Sequence, residues 1–187
     1  NTNHPSGTDR IAQAVNDLGF NINDNIVNVQ GDEPLIKQQV IDQLFEQLEQ
    51  NNKIVTACHK IKEVRELINH NCVKVVFDKN NNALYFSRSP IPHHRDEWET
   101  LVSKHKTIPS SLSFYKHVGI YGYKVSFLKD FTSMKQTYLE RLEKLEQLRF
   151  LEYGENIKMI QIQDHSIGID TIEDYNKVKE IIENGKH

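Results

Sequence analysis

Val27-Asn28-Val29-Gln30-Gly31-Asp32-Glu33-Pro34 decides the reading of this chain. The run from Ile26 to Gln30 is rich in strand-favouring residues, and Gly31-Asp32-Glu33-Pro34 halts it. Pro34 suits the first turn of a helix. Leu35, Ile36, Val40, Ile41, Leu44, Phe45 and Leu48 then recur at helical spacing and predict its buried stripe. A strand passing through a glycine and two carboxylates into a helix is the repeating unit of an α/β sheet. Ligands in such sheets bind beyond the carboxyl ends of the strands. A carboxylate at that point suits Mg²⁺, a hard ion that takes oxygen ligands and bridges to phosphates. Asp32 and Glu33 serve equally well as polar turn residues ahead of the helix, and the residues alone leave both readings open.

The same alternation continues on either side. Ser6-Gly7-Thr8-Asp9-Arg10 predicts a turn feeding a helix capped by Thr8 or Asp9, with Ile11, Ala14, Val15 and Leu18 as its apolar face and Gly19 as its stop. Lys53 to His59 reads as a strand and Glu63 to Ile68 as one or two helical turns. Val73 to Phe77 and Ala83 to Phe86 flank Asp78-Lys79-Asn80-Asn81-Asn82, a hairpin signature because Asn tolerates left-handed backbone. Pro90 and Pro92 stop regular structure, and 93–113 reads as polar and irregular with one short helix. Tyr115 to Tyr123 returns to strand. Val125 to Thr132 and Tyr138 to Tyr153 read as helices, the second carrying Leu142, Leu145, Leu148 and Leu151 and ending at Gly154. Ile157 to Ile162 alternates as a strand, and Thr171 with Asp174 resembles a capping box for a last helix reaching Glu183. Strands alternating with helices at both ends predict an α/β sheet covered on both faces, and the middle, about 71 to 123, predicts an antiparallel insertion.

Composition narrows the function. The 187 residues are 37% hydrophobic and 26% charged, with net charge −3, which fits one soluble globular domain over 1–187. No window approaches the roughly 20 apolar residues of a membrane-crossing helix, so no membrane partner is expected. A nucleic-acid binder would be basic, and this chain, with pI near 6.3, is not. Cys58 and Cys72 form no C-x-x-C pair and read as reduced thiols of a cytoplasmic protein.

Beyond Asp32, a second carboxylate stands at a strand-to-helix junction, Ile167-Gly168-Ile169-Asp170-Thr171. It is a second candidate metal ligand, or simply a helix cap. Arg10, Arg88 and His117 sit beside element ends and suit an anion, or plain solvation. His93-His94 lacks the further spaced ligands of a transition-metal site. Glu140, Glu143, Glu146 and Lys144 read as the solvated face of a helix. No P-loop, dinucleotide fingerprint or nucleophile elbow is present.

Taken in order, the segments resemble one family, the 3-deoxy-manno-octulosonate (Kdo) cytidylyltransferases, or CMP-Kdo synthetases. The resemblance rests on Ser6 to Arg10, Val27 to Pro34, Val73 to Val76, and Tyr85-Phe86-Ser87-Arg88-Ser89-Pro90-Ile91-Pro92. It continues through His117-Val118-Gly119-Ile120-Tyr121-Gly122-Tyr123, Leu145-Glu146-Gln147-Leu148-Arg149 and Gly168-Ile169-Asp170-Thr171. It implies a three-layer α/β sheet of the nucleotide-diphospho-sugar-transferase kind, with an antiparallel dimerisation insertion, and a homodimer with residues of about 90–150 at the interface. It implies cytidylyl transfer for lipopolysaccharide synthesis: the anomeric hydroxyl of Kdo attacks the α-phosphate of CTP, giving CMP-Kdo and pyrophosphate, with Mg²⁺ offsetting charge. By the same carry-over Asp32 and Asp170 hold the metal. Arg88 meets the sugar carboxylate in a two-pronged contact. Gln30, His117, Tyr121, Glu146 and Gln147 face the sugar acid, and Ser6, Gly7 and Arg10 lie near the nucleotide.

The sequence departs from the family at Ile172, where proline is usual, and at Ile167, where a smaller or polar residue stands. The family also opens with a strand and a basic, glycine-rich loop around the CTP phosphates. No such segment is present, so the resemblance implies a sheet incomplete at its N-terminal edge and a chain that alone turns over weakly or not at all. Two other functions compete: a nucleotidyltransferase for a different sugar acid, and a non-catalytic dimerising or sugar-acid-binding remnant.

Overall fold

The computed structural model describes residues 7–31, 33–163, 169 and 172–184. Thr171 of the capping pair expected with Asp174 lies outside the described residues. The elements run α1 (Gly7–Asp17), β1 (Asn25–Asn28), α2 (Gln38–Glu49), β2 (Ile54–Lys60), α3 (Val64–Ile68), β3 (Lys74–Phe77), β4 (Ala83–Ser87), α4 (Trp98–Lys104), β5 (Tyr115–Lys124), α5 (Val125–Phe131), α6 (Tyr138–Glu143), α7 (Gln147–Glu152), β6 (Ile157–Ile162) and α8 (Ile172–Glu183).

Six strands form one mixed sheet in the order β4-β3-β5-β2-β6, with β1 also paired to β5. β2 and β6 are parallel, whereas β5 runs antiparallel to β1, β2 and β3. The antiparallel stretch expected between 71 and 123 is therefore β3, β4 and β5, and β5 lies inside the sheet. Its register with β2 slips between Thr56 and Ala57, so Thr56 faces Tyr121 while Ala57 faces Val118. The hairpin joining β3 and β4 closes on Asp78, whose Oδ1 accepts the backbone N–H of Asn80 and Asn82 at 2.8 Å each. Asn81 at its tip takes the left-handed conformation (φ 59°).

The period-2 alternation of the strands sorts side chains onto two faces. Val55, Ala57, Val118, Ile120, Ile160 and Ile162 pack against Val40, Leu44 and Leu48 of α2. The other face presents Ile54, Cys58, Tyr121, Tyr123 and Met159 to α1, α5 and α7. The three-layer architecture expected from the resemblance is thus present. A third cluster of Ile61, Val64, Leu67, Leu101 and Phe114 gives the polar stretch after β4 its own small core.

Several local expectations change. β1 stops at Asn28, and α2 begins at Gln38, four residues after Pro34, because Glu33 to Ile36 form a turn closed by Ile36 N–H to Glu33 O. Leu18 is 74% exposed, and the inner face of α1 is Thr8, Ala12 and Val15. The helix expected over Tyr138 to Tyr153 is two helices. Lys144 adopts φ 55°, ψ 45° between them, which ends α6 and re-aims the chain. Leu142 accordingly points to solvent at 65% exposure. The expected solvated face is not one: Glu140 is buried on Arg149, with Nη2 at 2.5 Å and Nε at 2.8 Å from its carboxylate. Glu143 turns instead to Ser87 and Arg88. Gly19 and Gly154 both take positive φ, as their role as helix stops requires.

Candidate functional site

A cavity of about 300 Å³ opens on the face that carries α1 and α7. Alternation along β5 places His117, Gly119, Tyr121 and Tyr123 on this face, and all four line the cavity. The break at Lys144 brings Lys144, Leu145, Glu146 and Gln147 to the opposite wall, while α1 contributes Gly7, Thr8 and Ile11. Asn28 and Gln30 close it at the end of β1. A Cβ on Gly119 would lie 3.7 Å from the Gln30 side chain, in ordinary contact. Six of the residues expected from sequence (Gly7, Gln30, His117, Tyr121, Glu146 and Gln147) therefore share one cavity. A second cavity beside it, about 450 Å³, shares Gly7, Ile11, Asn28 and Gln30 and adds Arg10, Val29 and Gly31.

The walls are held by specific contacts. The Thr8 backbone N–H donates to Glu146 Oε1 at 2.9 Å, tying the first turn of α1 to the start of α7. Tyr121 and Tyr123 stack at 5.6 Å, and the Tyr123 hydroxyl lies 3.4 Å from Thr8 Oγ1. Burial, with Tyr123 and Glu146 nearby, pushes the Tyr121 phenol well above its ordinary range, and burial does the same to Tyr123. Burial lowers His117 to about 3. At neutral pH these three rings therefore offer hydrogen bonds without net charge, so His117 does not attract an anion as a cation would. Lys144 and Glu146 are the charged groups on the described wall.

Arg88 lies outside the lining of both cavities. Its backbone N–H donates to Glu143 Oε2 at 2.9 Å, its Nε to Glu143 O at 2.7 Å and its Nη1 to His70 O at 3.1 Å. Beneath it the Lys74 ammonium, fully buried, donates to the carbonyls of Asn69, Cys72 and Arg88 at 2.9, 2.6 and 2.5 Å. Asp32, Asp170 and Ser6 lie outside the described residues. Gly31, next to Asp32, does line the second cavity with Gly7 and Arg10. Cys58 and Cys72 are both buried, and burial raises Cys58 to about 12, so Cys58 is not a poised nucleophile. No described helix is long and apolar enough to cross a membrane.

Sequence reasoning missed Thr56, Glu143 and Lys74. Thr56 and Lys74 are polar residues inside strands, where pattern alone makes them ordinary, and Glu143 belonged to the acidic set assigned to solvent. Only the three-dimensional pairing reveals what they hold.

An aromatic floor with amide, carboxylate and hydroxyl groups around it suits a polyhydroxylated ligand, whose C–H faces pack on rings while its hydroxyls pair with the rim. Comparison with known proteins points the same way. The chain is 49% identical over 177 residues to a 3-deoxy-manno-octulosonate cytidylyltransferase of Thermodesulfovibrio yellowstonii, covering 91% of this chain and 67% of that protein. It is 45% identical over 187 residues to the enzyme of the same name from Trichlorobacter lovleyi, covering 98% and 72%. A solved CMP:2-keto-3-deoxy-manno-octonic acid synthetase complexed with CTP superposes with TM-score 0.84 at 31% identity, over 98% of this chain and 70% of that one. A putative glucose-1-phosphate thymidylyltransferase from Bacillus anthracis shares the fold at TM-score 0.57 and 13% identity. The family model described as cytidylyltransferase matches residues 1–157, and the chain belongs to the cytidylyltransferase family.

Proposed function

We propose that this chain serves the transfer of a cytidylyl group from CTP to Kdo, with CMP-Kdo and pyrophosphate as products. The observation that carries the reading is the convergence of Gly7, Gln30, His117, Tyr121, Glu146 and Gln147 on one cavity beside a second that holds Arg10 and Gly31. The first cavity takes the sugar acid and the second the nucleotide.

The reaction needs positioning and charge neutralisation more than covalent help from the protein. The aromatic floor of Tyr121 and Tyr123 orients the sugar ring. Gln30, Glu146 and Gln147 pair with its hydroxyls, so that the anomeric oxygen faces the α-phosphate. Arg10, exposed at the second cavity, offsets phosphate charge. Arg88, outside the lining of both cavities and held through Nε and Nη1 by main-chain carbonyls, keeps its Nη2 for a sugar carboxylate that extends to it. Asp32 and Asp170 supply hard oxygen donors of the kind Mg²⁺ takes, and Gly31 at the cavity wall fits that assignment for Asp32. Bound there, Mg²⁺ would neutralise triphosphate charge as a Lewis acid. The region of about 90–150 carries the homodimer contact in this reading, supported by exposed Tyr138 and Leu142.

Product analysis tests the reading. Prolonged incubation of the concentrated chain with CTP, Mg²⁺ and, separately, Kdo, its 8-amino analogue and a sialic acid should give at most slow turnover, with CMP-Kdo and pyrophosphate formed from Kdo. A CMP ester of another acid reassigns the substrate. No product from any acid, together with calorimetric binding of Kdo and none of CTP with Mg²⁺, overturns the enzymatic reading in favour of a sugar-acid-binding remnant.

A further inference from the structure

His117 and Thr56 stand on neighbouring strands of the cavity face. Thr56 is 0% exposed, and its Oγ1 lies 2.7 Å from Ile120 O, 3.3 Å from Val118 O and 3.0 Å from His117 Nε2. The register slip in β2–β5 creates this cluster, since it leaves two carbonyls of β5 converging on one side chain.

A threonine hydroxyl has one proton to give. Carbonyl oxygens can only accept, and an oxygen at 2.7 Å from another without an intervening proton is repulsive. The Thr56 proton is therefore committed to Ile120 O. Val118 O and Tyr121 also lie within its hydrogen-bonding reach, and a proton given to either would equally be denied to His117. Toward His117, Thr56 Oγ1 can only accept, so Nε2 must carry the imidazole proton. In a neutral ring that leaves Nδ1 with its lone pair. No described residue donates to Nδ1, and the ring lines the sugar-acid cavity. Phe86 and Tyr121 fix the plane of the ring, with centroids 5.1 and 5.3 Å away.

We propose that Thr56 is a positioning residue that locks His117 as the Nε2–H tautomer, so that Nδ1 recognises the ligand by accepting from a sugar hydroxyl. This deepens the proposed function and rests on it only for the identity of the ligand. The lock sets specificity as well as affinity. A lone pair at this point welcomes a hydroxyl and repels a carboxylate or phosphate oxygen. The acid group of the sugar must then lie elsewhere in the site, and His117 reads the hydroxylated part of the ring.

Long-range ¹H–¹⁵N spectra of the 187-residue chain, labelled at histidine, test the lock directly. Before any ligand is added, His117 should show a pyrrole-like Nε2 and a pyridine-like Nδ1. Thr56→Ser, which keeps the hydroxyl, should preserve that pattern, whereas Thr56→Val should lose it. A protonated Nδ1 in the parent chain, or an unchanged tautomer in a folded Thr56→Val protein, overturns the proposal. Titration with Kdo should then move the Nδ1 resonance toward its hydrogen-bonded position while Nε2 stays fixed. Thr56→Val should weaken Kdo binding by roughly three- to tenfold, the worth of one neutral hydrogen bond, with Thr56→Ser restoring it. Protonation of Nδ1 on Kdo binding overturns the hydroxyl assignment. An intact Nε2–H spectrum with no Kdo binding overturns the functional reading and upholds the Thr56 lock.

Discussion

Glu146 Oε1 accepts the Thr8 N–H at 2.9 Å, joining positions 138 residues apart. The contact places a carboxylate at the amino end of α1, where unsatisfied N–H groups and the helix dipole both favour it. It also fixes the width of the cavity between α1 and α7. Glu146→Ala strands a buried donor and should cost about 1–2 kcal/mol in urea unfolding, with Glu146→Gln costing less because an acceptor remains. Equal losses in the two variants would contradict this role.

The Glu140–Arg149 pair is a buried ion pair. Both side chains are 5% exposed, and the guanidinium also lies 4.4 Å from the Phe131 ring centroid. Removing one partner leaves the other charge uncompensated away from water. Arg149→Met alone should destabilise by about 3–5 kcal/mol, whereas Arg149→Met combined with Glu140→Leu should recover most of the loss. Denaturation of the three proteins checks this, and an additive double variant would refute it.

Lys74 ties the turn after α3 to the segment that carries Arg88. Replacing it with Met removes three donors to main-chain carbonyls, and about 2–3 kcal/mol of stability should go with them. Amide exchange should speed up around 69–72 and 87–89 first. Uniform loss of protection across the sheet would show that Lys74 acts on global stability alone.

Buried histidine makes the fold sensitive to acid. His117 titrates at about 3 in the folded chain against an ordinary 6.5, because burial disfavours its charged form. His59, lowered to about 4 by burial and by Lys116, adds to the effect. As pH falls, the unfolded chain takes up these protons first. Their contribution is complete above about pH 6.5 and is lost progressively toward the folded values. Urea midpoints should therefore drop from pH 7 to pH 5, with a shallower slope in His117→Asn. Parallel curves would contradict the assignment.

Strand positions and the Asp78–Asn82 hairpin were legible because period-2 apolar runs and left-handed-tolerant residues are local signals. The break at Lys144 was not, since leucines at 142, 145, 148 and 151 carry helical spacing straight through it. The burial of Glu140 and the inward contacts of Glu143 were equally hidden, because their partners Arg149, Ser87 and Arg88 meet them only after folding. The cavity residues were legible through the family resemblance and not through spacing. Thr56 shows the limit of both: its importance arises from a register slip between two strands, which no sequence pattern records.

Calorimetric titration of Kdo into this chain addresses the central claim, that the α1–β5–α7 cavity is a sugar-acid site. One-site binding is expected, weakened at least tenfold by Gln147→Ala and left unchanged by Lys53→Ala on the far Glu155 ion pair. Absence of Kdo binding, or affinity indifferent to Gln147, would contradict it.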